Sequence, residues 1–459
     1  MSKTNTAITN NRTLKQAQIL TVLLIAIALV VSFGSSFATT ATSTTTESTI
    51  VLQTAGAPFL QGTFQVVNNE LGNQTNPHVD CNLVSYTFDD FQGFSRIQYH
   101  DLLTGTDSVV PGNDVDLLSD ISGSRVAYTE VTFSGDTVRI FDTNSLTTTV
   151  VPGLWNSNPS IGADVVAFED RDSQANWYSS NITTYDVSTG TVTQLTNDAL
   201  TSINPDVSPN GNAVIWGKCT NDLSHCDIYS AIRTAPGVFT TRGLTTGNHE
   251  ASYETSTDGK LAVYVSDRTG ERDIYYQPVT GGNEVHLSIA GDQRNPTIAG
   301  GLISFESGPL GSGENYVYDT RTGKLYQVTT GSPDNRLSEI GVCGDTGRIV
   351  YLNIGNGGYD AYAFTFQVPT VPSNTVRQLD DLIALIRSFN LPAGITNSLI
   401  RKLQNASDAI NASDTATACS SLTAFINECQ AQSGKKLTPA QSTQLINFAN
   451  QIKSNLSCP

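Results

Sequence analysis

Short apolar strands that end in an aromatic residue recur along most of the chain. Successive aromatic residues are separated by 42, 40, 48, 48, 41 and 46 residues. They are Tyr86, Tyr128, Phe168, Trp216, Tyr264, Phe305 and Tyr351. A repeat of about 40 to 45 residues with several strands per unit is typical of the blades of a β-propeller, whose sheets bury their faces against neighbouring sheets. The pattern therefore predicts an all-β propeller, with seven blades favoured and six as the alternative.

Each repeat has the same internal order, beginning with a first strand that often contains an Asn-Pro pair, such as Asn158-Pro159. A tight turn follows, and Asn210-Gly211 suits the positive φ angles of such a hairpin. The last repeat lacks a fourth strand, whereas an unpaired strand at residues 63–68 precedes the first repeat. We therefore predict that the N-terminal strand completes the last blade, which leaves no long sheet edge open.

One repeat carries a family resemblance. Residues 252–275, SYETSTDGKLAVYVSDRTGERDIY, resemble the repeat of TolB-type, WD-repeat-like propellers, and the likeness extends more weakly over residues 63–368. The usual ring of that family has six blades, so a count of seven departs from it. Its members mostly bind proteins, and the resemblance therefore implies a recognition role.

The hydrophobic period changes after Pro369 and Pro372 from two to about 3.6 residues, which marks a linker at 369–375 and a helical domain at 376–459. Four apolar stripes predict a small all-α bundle of short amphipathic helices. Residues 422–438 resemble the FIMAH-type helical domain of secreted microbial proteins, and this resemblance implies no activity.

The N-terminus has the layout of an export signal. Lys3, Arg12 and Lys15 precede an apolar run at residues 19–31, and the small residues Ser36 and Ala38 follow it. We expect residues 1–38 to be a cleaved signal peptide or, alternatively, a membrane anchor through residues 15–38. Residues 39–62 begin as a Thr/Ser-rich stretch and are predicted to be a flexible linker. The rest of the chain is then secreted or extracellular.

The charge balance excludes one class of partner. There are 42 acidic and 25 basic side chains, which gives a formal net charge of −17. No basic cluster follows the first 15 residues, so the chain would repel a nucleic-acid backbone.

Seven cysteines in an exported chain indicate disulfides. Three pairs are plausible from their places in the repeats and helices, and the seventh cysteine, Cys429, falls within an apolar helix stripe. The predicted pairs are Cys219 with Cys226, Cys81 with Cys343, and Cys419 with Cys458.

First strands line the axis of a propeller, and the position after Asn-Pro is polar in most repeats. The residues at the aligned positions are His78, Asp120, Ser160, Asp206, Glu254, Thr297 and Gly341. Their side chains either face a water-filled channel without further role or form a ring that holds a hard cation. In the second case Asp120, Asp206 and Glu254 would bind calcium, because calcium prefers oxygen ligands.

Three functions follow from this organisation. We favour an exported non-catalytic scaffold that binds a protein or a glycan, because the sequence contains no Gly-x-Ser-x-Gly motif and no α/β segment that could carry a catalytic triad. The first alternative is a metal-dependent hydrolase or lyase with channel-bound calcium and His78 as the base. The second is a structural component of the cell envelope.

Overall fold

Six four-stranded sheets, one five-stranded sheet and four helices make up the computed structural model of the chain, which describes residues 47–113, 115–171, 179–197, 199–246, 254–309, 312–331, 335–354, 358–370, 374–411, 414–456 and 458. The predicted signal segment at 1–38 lies outside the described residues. Among the described helices, none is both long enough and apolar enough to cross a membrane.

The seven sheets are the blades of a propeller, as predicted, and each runs from its first, inner strand to its last, outer strand. Blade 1 is β3 (Asn73–Asp80), β4 (Leu83–Asp89), β5 (Ser95–Asp101) and β6 (Thr106–Val109); blade 2 is β7 (Asp116–Ser122), β8 (Arg125–Val131), β9 (Asp136–Asp142) and β10 (Thr147–Val150); blade 3 is β11 (Asn156–Gly162), β12 (Val165–Arg171), β13 (Ser180–Asp186) and β14 (Thr191–Gln194). Blade 4 is β15 (Thr201–Val207), β16 (Ala213–Cys219), β17 (Cys226–Ala235) and β18 (Val238–Gly243); blade 5 is β19 (Thr255–Thr257), β20 (Leu261–Ser266), β21 (Asp273–Pro278) and β22 (Val285–Ile289); blade 6 is β23 (Gln293–Ala299), β24 (Leu302–Ser307), β25 (Glu314–Asp319) and β26 (Lys324–Gln327). Blade 7 is β27 (Asn335–Cys343), β28 (Thr346–Ile354), β29 (Tyr359–Gln367) and, as its outer strand, β2 (Gly62–Asn68).

The Asn-Pro pairs mark a β-bulge in the first strand. Asn76, Asn158, Asn204 and Asn295 have φ angles of 54°, 53°, 50° and 48°, and the register of each first strand shifts at this point. Asn tolerates this left-handed conformation better than most residues, and the bulge sets the direction of the side chain two residues later.

The aromatic anchors of the repeat are buried between blades. Tyr128 of blade 2, for example, is fully buried and packs with Ile97 of blade 1. Phe305 of blade 6 packs in the same way with Val263 of blade 5. Each sheet therefore buries its faces against its neighbours, which explains why the aromatic residues recur at the repeat spacing.

The ring closes as the sequence predicts. Strand β2 pairs antiparallel with β29, with Gly62 opposite Phe366, and supplies the missing outer strand of blade 7. The first strands contact one another around the whole circle, including β27 with β3. A disulfide between Cys81 and Cys343 joins the first and last blades.

The other two predicted disulfides are also confirmed. Cys219 and Cys226 join the second and third strands of blade 4, Cys419 is joined to Cys458, and Cys429 is free and buried. Three disulfides fit an oxidising environment outside the cytoplasm.

The first part of the predicted linker, residues 39–46, lies outside the described residues, but residues 48–60 are more ordered than a flexible linker. Strand β1 (Ser48–Leu52) pairs in parallel with β22 at the outer edge of blade 5. Phe59 then bridges to Gln327 in blade 6 before the chain enters blade 7. Ile50 and Leu52 pack against the core between blades 5 and 6, and their burial compensates for the polar composition of the segment. We call residues 48–60 the N-terminal belt.

The C-terminal unit, residues 369–459, contains four helices: α1 (Asn374–Ser388), α2 (Ala393–Asn411), α3 (Thr415–Gln432) and α4 (Pro439–Asn455). Their predicted apolar stripes form one core, which includes Leu382, Leu403 and Phe425. Asp414 caps α3 through the backbone N–H of Thr417.

Candidate functional site

The first strand of each blade places one side chain at an equivalent position one to four residues before the strand ends, on the inside of the ring of first strands. We call these the ring positions. They are His78, Asp120, Ser160, Asp206, Ser256, Thr297 and Glu339, which lie opposite Ser85, Ala127, Ala167, Ile215, Val263, Ser304 and Val350.

Five ring positions are those expected from the sequence, but blades 5 and 7 differ. The ring residue of blade 5 is Ser256 rather than Glu254, and that of blade 7 is Glu339 rather than Gly341. Ser256 lies eight residues before its aromatic anchor Tyr264, which is also the spacing in blades 1, 2, 3 and 6, whereas Glu339 lies twelve before Tyr351. The ten-residue spacing of blade 4, applied to blades 5 and 7, selects Glu254 and Gly341 instead.

The two displaced candidates have structural roles. Glu254 pairs with Arg272 and accepts a hydrogen bond from the backbone N–H of Asn295 at 2.7 Å. At Gly341 a Cβ atom would approach the carbonyl oxygen of Val79 in blade 1 to 2.7 Å, so close contact between blades 7 and 1 requires glycine. Asp120, Asp206 and Glu254, the predicted calcium ligands, are therefore not brought together as a group.

The ring positions connect the blades through hydrogen bonds. The backbone N–H that follows the ring position of one blade donates to the ring side chain of the preceding blade, at six of the seven junctions. We call this set the hoop. Its bonds run from Ile161 to Asp120 (2.8 Å), Val207 to Ser160 (3.0 Å), Thr257 to Asp206 (2.7 Å), Ile298 to Ser256 (3.3 Å), Ile340 to Thr297 (3.0 Å) and Val79 to Glu339 (2.8 Å).

His78 is the one ring residue outside the hoop. At the junction of blades 1 and 2, the N–H of Ile121 donates instead to Oδ1 of Asp120, at 2.7 Å. The Nδ1 atom of His78 lies 3.1 Å from Oε2 of Glu339 and 3.3 Å from Oδ1 of Asp120. These distances suit ion pairs, but neither oxygen lies in the direction that a hydrogen bond to the buried Nδ1 atom requires.

The electrostatics of these groups are strongly coupled. Burial lowers the pKa of His78, but the charges of Glu339 and Asp120 outweigh burial and hold that pKa well above its ordinary value. For Asp120, burial raises the pKa, but the charge of His78 outweighs burial and brings that pKa below its usual value. Burial raises the pKa of Glu339, and the charge of His78 offsets this only in part. Burial and the charge of Asp120 raise the pKa of Asp206 well above its ordinary value.

We call His78, Asp120 and Glu339 the channel cluster. Each offers one ligand atom, and these atoms lie within 4.8 Å of one another. Within the part of the chain that the structure describes, no other three His, Cys, Asp or Glu residues are arranged in this way. The sequence predicts His78 and Asp120 but not Glu339, because the four extra residues of the hairpin in blade 7 hide its alignment with the other blades.

A second feature lies on one face of the ring. The loops between second and third strands and the loops between blades share this face, because neighbouring strands are antiparallel. We call it the apolar face, since exposed large apolar side chains gather there on blades 7, 1, 2 and 3. They are Leu71, Phe91, Phe94, Phe133, Leu154, Leu200 and Ile354. In the described turns of the opposite face, the exposed large apolar residues are Leu103 and Leu146.

Comparison with known proteins gives a fold likeness. No protein-family model matches the chain, and no curated protein sequence matches it. An acylaminoacyl peptidase from Pyrococcus horikoshii aligns with 14% identity and a TM-score of 0.49, over 66% of this chain and 53% of the peptidase. The β-propeller domain of the trilobed protease from Pyrococcus furiosus, described as having an open velcro topology, aligns with 11% identity and a TM-score of 0.48, over 66% and 97% of the two chains.

TolB from Acinetobacter baumannii aligns with 17% identity and a TM-score of 0.37, over 64% of this chain and 78% of TolB. The chain spans about half the length of the peptidases that it matches. At these identities the likeness concerns the propeller fold alone.

Proposed function

We propose that the protein is an exported, non-catalytic binding scaffold that holds a protein partner on its apolar face. The observation that carries this proposal is the concentration of seven exposed large apolar side chains, six in loops and one at a strand end, on one face of four adjacent blades. Soluble monomers rarely leave apolar residues grouped in this way unless the surface binds something.

The chemistry of the apolar face favours a protein over a glycan. Its exposed members are Leu, Ile and Phe, which offer apolar contact area but no hydrogen-bonding group. Aromatic and aliphatic anchors dominate the binding energy of protein interfaces. The three disulfides support a site of action outside the cytoplasm.

The test compares two variants of the full chain with the wild type. The face variant carries Leu71→Ser, Phe91→Ser and Phe94→Ser, three substitutions at side chains that are already exposed. The control variant carries Leu103→Ser and Leu146→Ser on the opposite face. Each protein is cross-linked to the surface proteins of the producing cells, and the captured protein is then purified and its Kd measured.

We expect one protein that binds wild type and control alike and binds the face variant at least about 100-fold more weakly, because three interface anchors contribute roughly 1 kcal/mol or more each. Equal Kd values for face and control variants would refute the proposal. Sedimentation of the purified chain tests whether the partner is a second copy of the same chain. A dimer that the face substitutions dissociate and the control substitutions do not would show that it is.

A further inference from the structure

The hoop explains why ring positions are polar but not why some of them are charged. Each hoop bond needs one acceptor oxygen. Ser160, Ser256 and Thr297 supply it with a neutral hydroxyl group at distances of 3.0 to 3.3 Å. Buried carboxylates cost free energy unless a cation compensates them. The carboxylates of Asp120 and Glu339, on the two blades that flank blade 1, therefore need an explanation beyond the hoop.

The position of His78 supplies a second observation. His78 accepts no hoop bond, so the connection between the blades does not require an imidazole there. Its buried Nδ1 atom lies between two carboxylate oxygens, at 3.1 and 3.3 Å, without a well-directed hydrogen bond to either. Two ligand atoms bound to one tetrahedral ion at about 2.1 Å are ~3.4 Å apart, which is close to both distances.

The charge of the ring points to a cation as well. The seven ring positions hold three carboxylates, from Asp120, Asp206 and Glu339, and no Lys or Arg. One imidazole cannot neutralise three carboxylates even when it is protonated. A divalent ion at the channel cluster would remove most of the excess negative charge.

We propose that Nδ1 of His78 and one carboxylate oxygen each of Asp120 and Glu339 bind a divalent first-row transition metal such as zinc, with the remaining coordination positions open to the channel. An imidazole nitrogen with carboxylates suits zinc better than calcium, which takes six to eight oxygen ligands. The backbone N–H groups of Val79 and Ile161 hold the two carboxylates in place through the hoop, as outer partners of metal ligands do.

The test uses the full chain without an affinity tag, stripped of metal by a chelator and titrated calorimetrically with ZnCl₂. The variant Glu339→Gln is chosen because its amide oxygen still accepts the hoop bond from Val79 while the charge is lost. His78→Gln removes the nitrogen ligand and no hoop bond. Asp206→Asn is the matched control, because it removes a ring carboxylate outside the channel cluster.

We expect one zinc ion per wild-type and Asp206→Asn chain, and a Kd at least about 100-fold higher in Glu339→Gln and His78→Gln. Cobalt(II) should give visible absorption bands in the wild type that His78→Gln lacks. Absence of stoichiometric binding to the wild type would overturn the proposal, as would equal weakening in Asp206→Asn. Thermal melts of the metal-free variants show that each one is folded, so that a lost site is not confused with an unfolded chain. This outcome is independent of partner binding on the apolar face.

Discussion

The hoop predicts the stability of a single isosteric variant. Thr297 and Val have nearly the same shape, so Thr297→Val removes only the hydroxyl group that accepts the N–H of Ile340 at 3.0 Å. The same hydroxyl lies 2.8 Å from Oγ of Ser304. Ile340 is buried, and a buried N–H without an acceptor costs about 1 to 3 kcal/mol. We therefore expect Thr297→Val to lower the free energy of unfolding by ~1–3 kcal/mol.

Urea denaturation followed by tryptophan fluorescence is the assay. All three tryptophans lie between residues 155 and 216, so the signal reports on the propeller and not on the helical unit. With a urea slope of ~3 kcal/mol per molar, the midpoint should fall by roughly 0.3 to 1 M. Thr297→Ser keeps the hydroxyl group and should stay close to the wild type. If the two variants unfold at the same urea concentration, the hoop does not stabilise the ring.

Three further outcomes are expected. Because the pKa of Asp206 is raised in the folded protein, the folded state loses stability as pH rises from the ordinary carboxyl pKa through the pKa of folded Asp206. Asp206→Asn should therefore raise the Tm of metal-free protein at pH 8 and leave it nearly unchanged at pH 4. A Tm gain independent of pH would contradict this. Replacing Cys81 and Cys343 by Ser opens a loop with a sequence separation of 262 residues and should lower the free energy of unfolding by ~5 kcal/mol. This is about twice the decrease expected for removing the short disulfide of blade 4, and urea denaturation of the two variants measures the difference. Ile50→Asp should increase hydrogen exchange in β22, because Ile50 packs against the core, whereas Val51→Asp at the exposed neighbouring position should not. Equal exchange in the two variants would mean that the buried apolar side chains of the N-terminal belt do not hold it against blade 5.

The sequence predicts the fold well because the propeller repeats its signals seven times. The aromatic anchors, the Asn-Pro bulges and the spare N-terminal strand are local features, and each has one consistent place in a closed ring. The N-terminal belt is missed because its partner is the open outer edge of blade 5, which no local pattern reveals. Only Ile50 and Leu52 bury apolar surface in this strand, too few for a periodic signal.

The candidate site is only partly predictable for a related reason. Ring residues are found by counting from the aromatic anchor, and this works where the first hairpin has the expected length. Ser256 is missed because the longer spacing of blade 4 does not apply to blade 5, and Glu339 is missed because its hairpin is four residues longer than the common one, so the residue that completes the channel cluster is hidden. The apolar face cannot be predicted from hydrophobic periodicity, because loops have no regular periodic pattern.

Charge, rather than polarity, is therefore the informative property of a ring position. Any acceptor satisfies the hoop, and Asp206 uses one oxygen for Thr257 at 2.7 Å while its charge is opposed by that of Asp120. A cation at the channel cluster would weaken this repulsion. Neutralising Asp206 should then stabilise metal-free protein more than zinc-loaded protein. If the gain is the same in both, the charge of Asp120 does not contribute to the raised pKa of Asp206, and burial alone accounts for the shift.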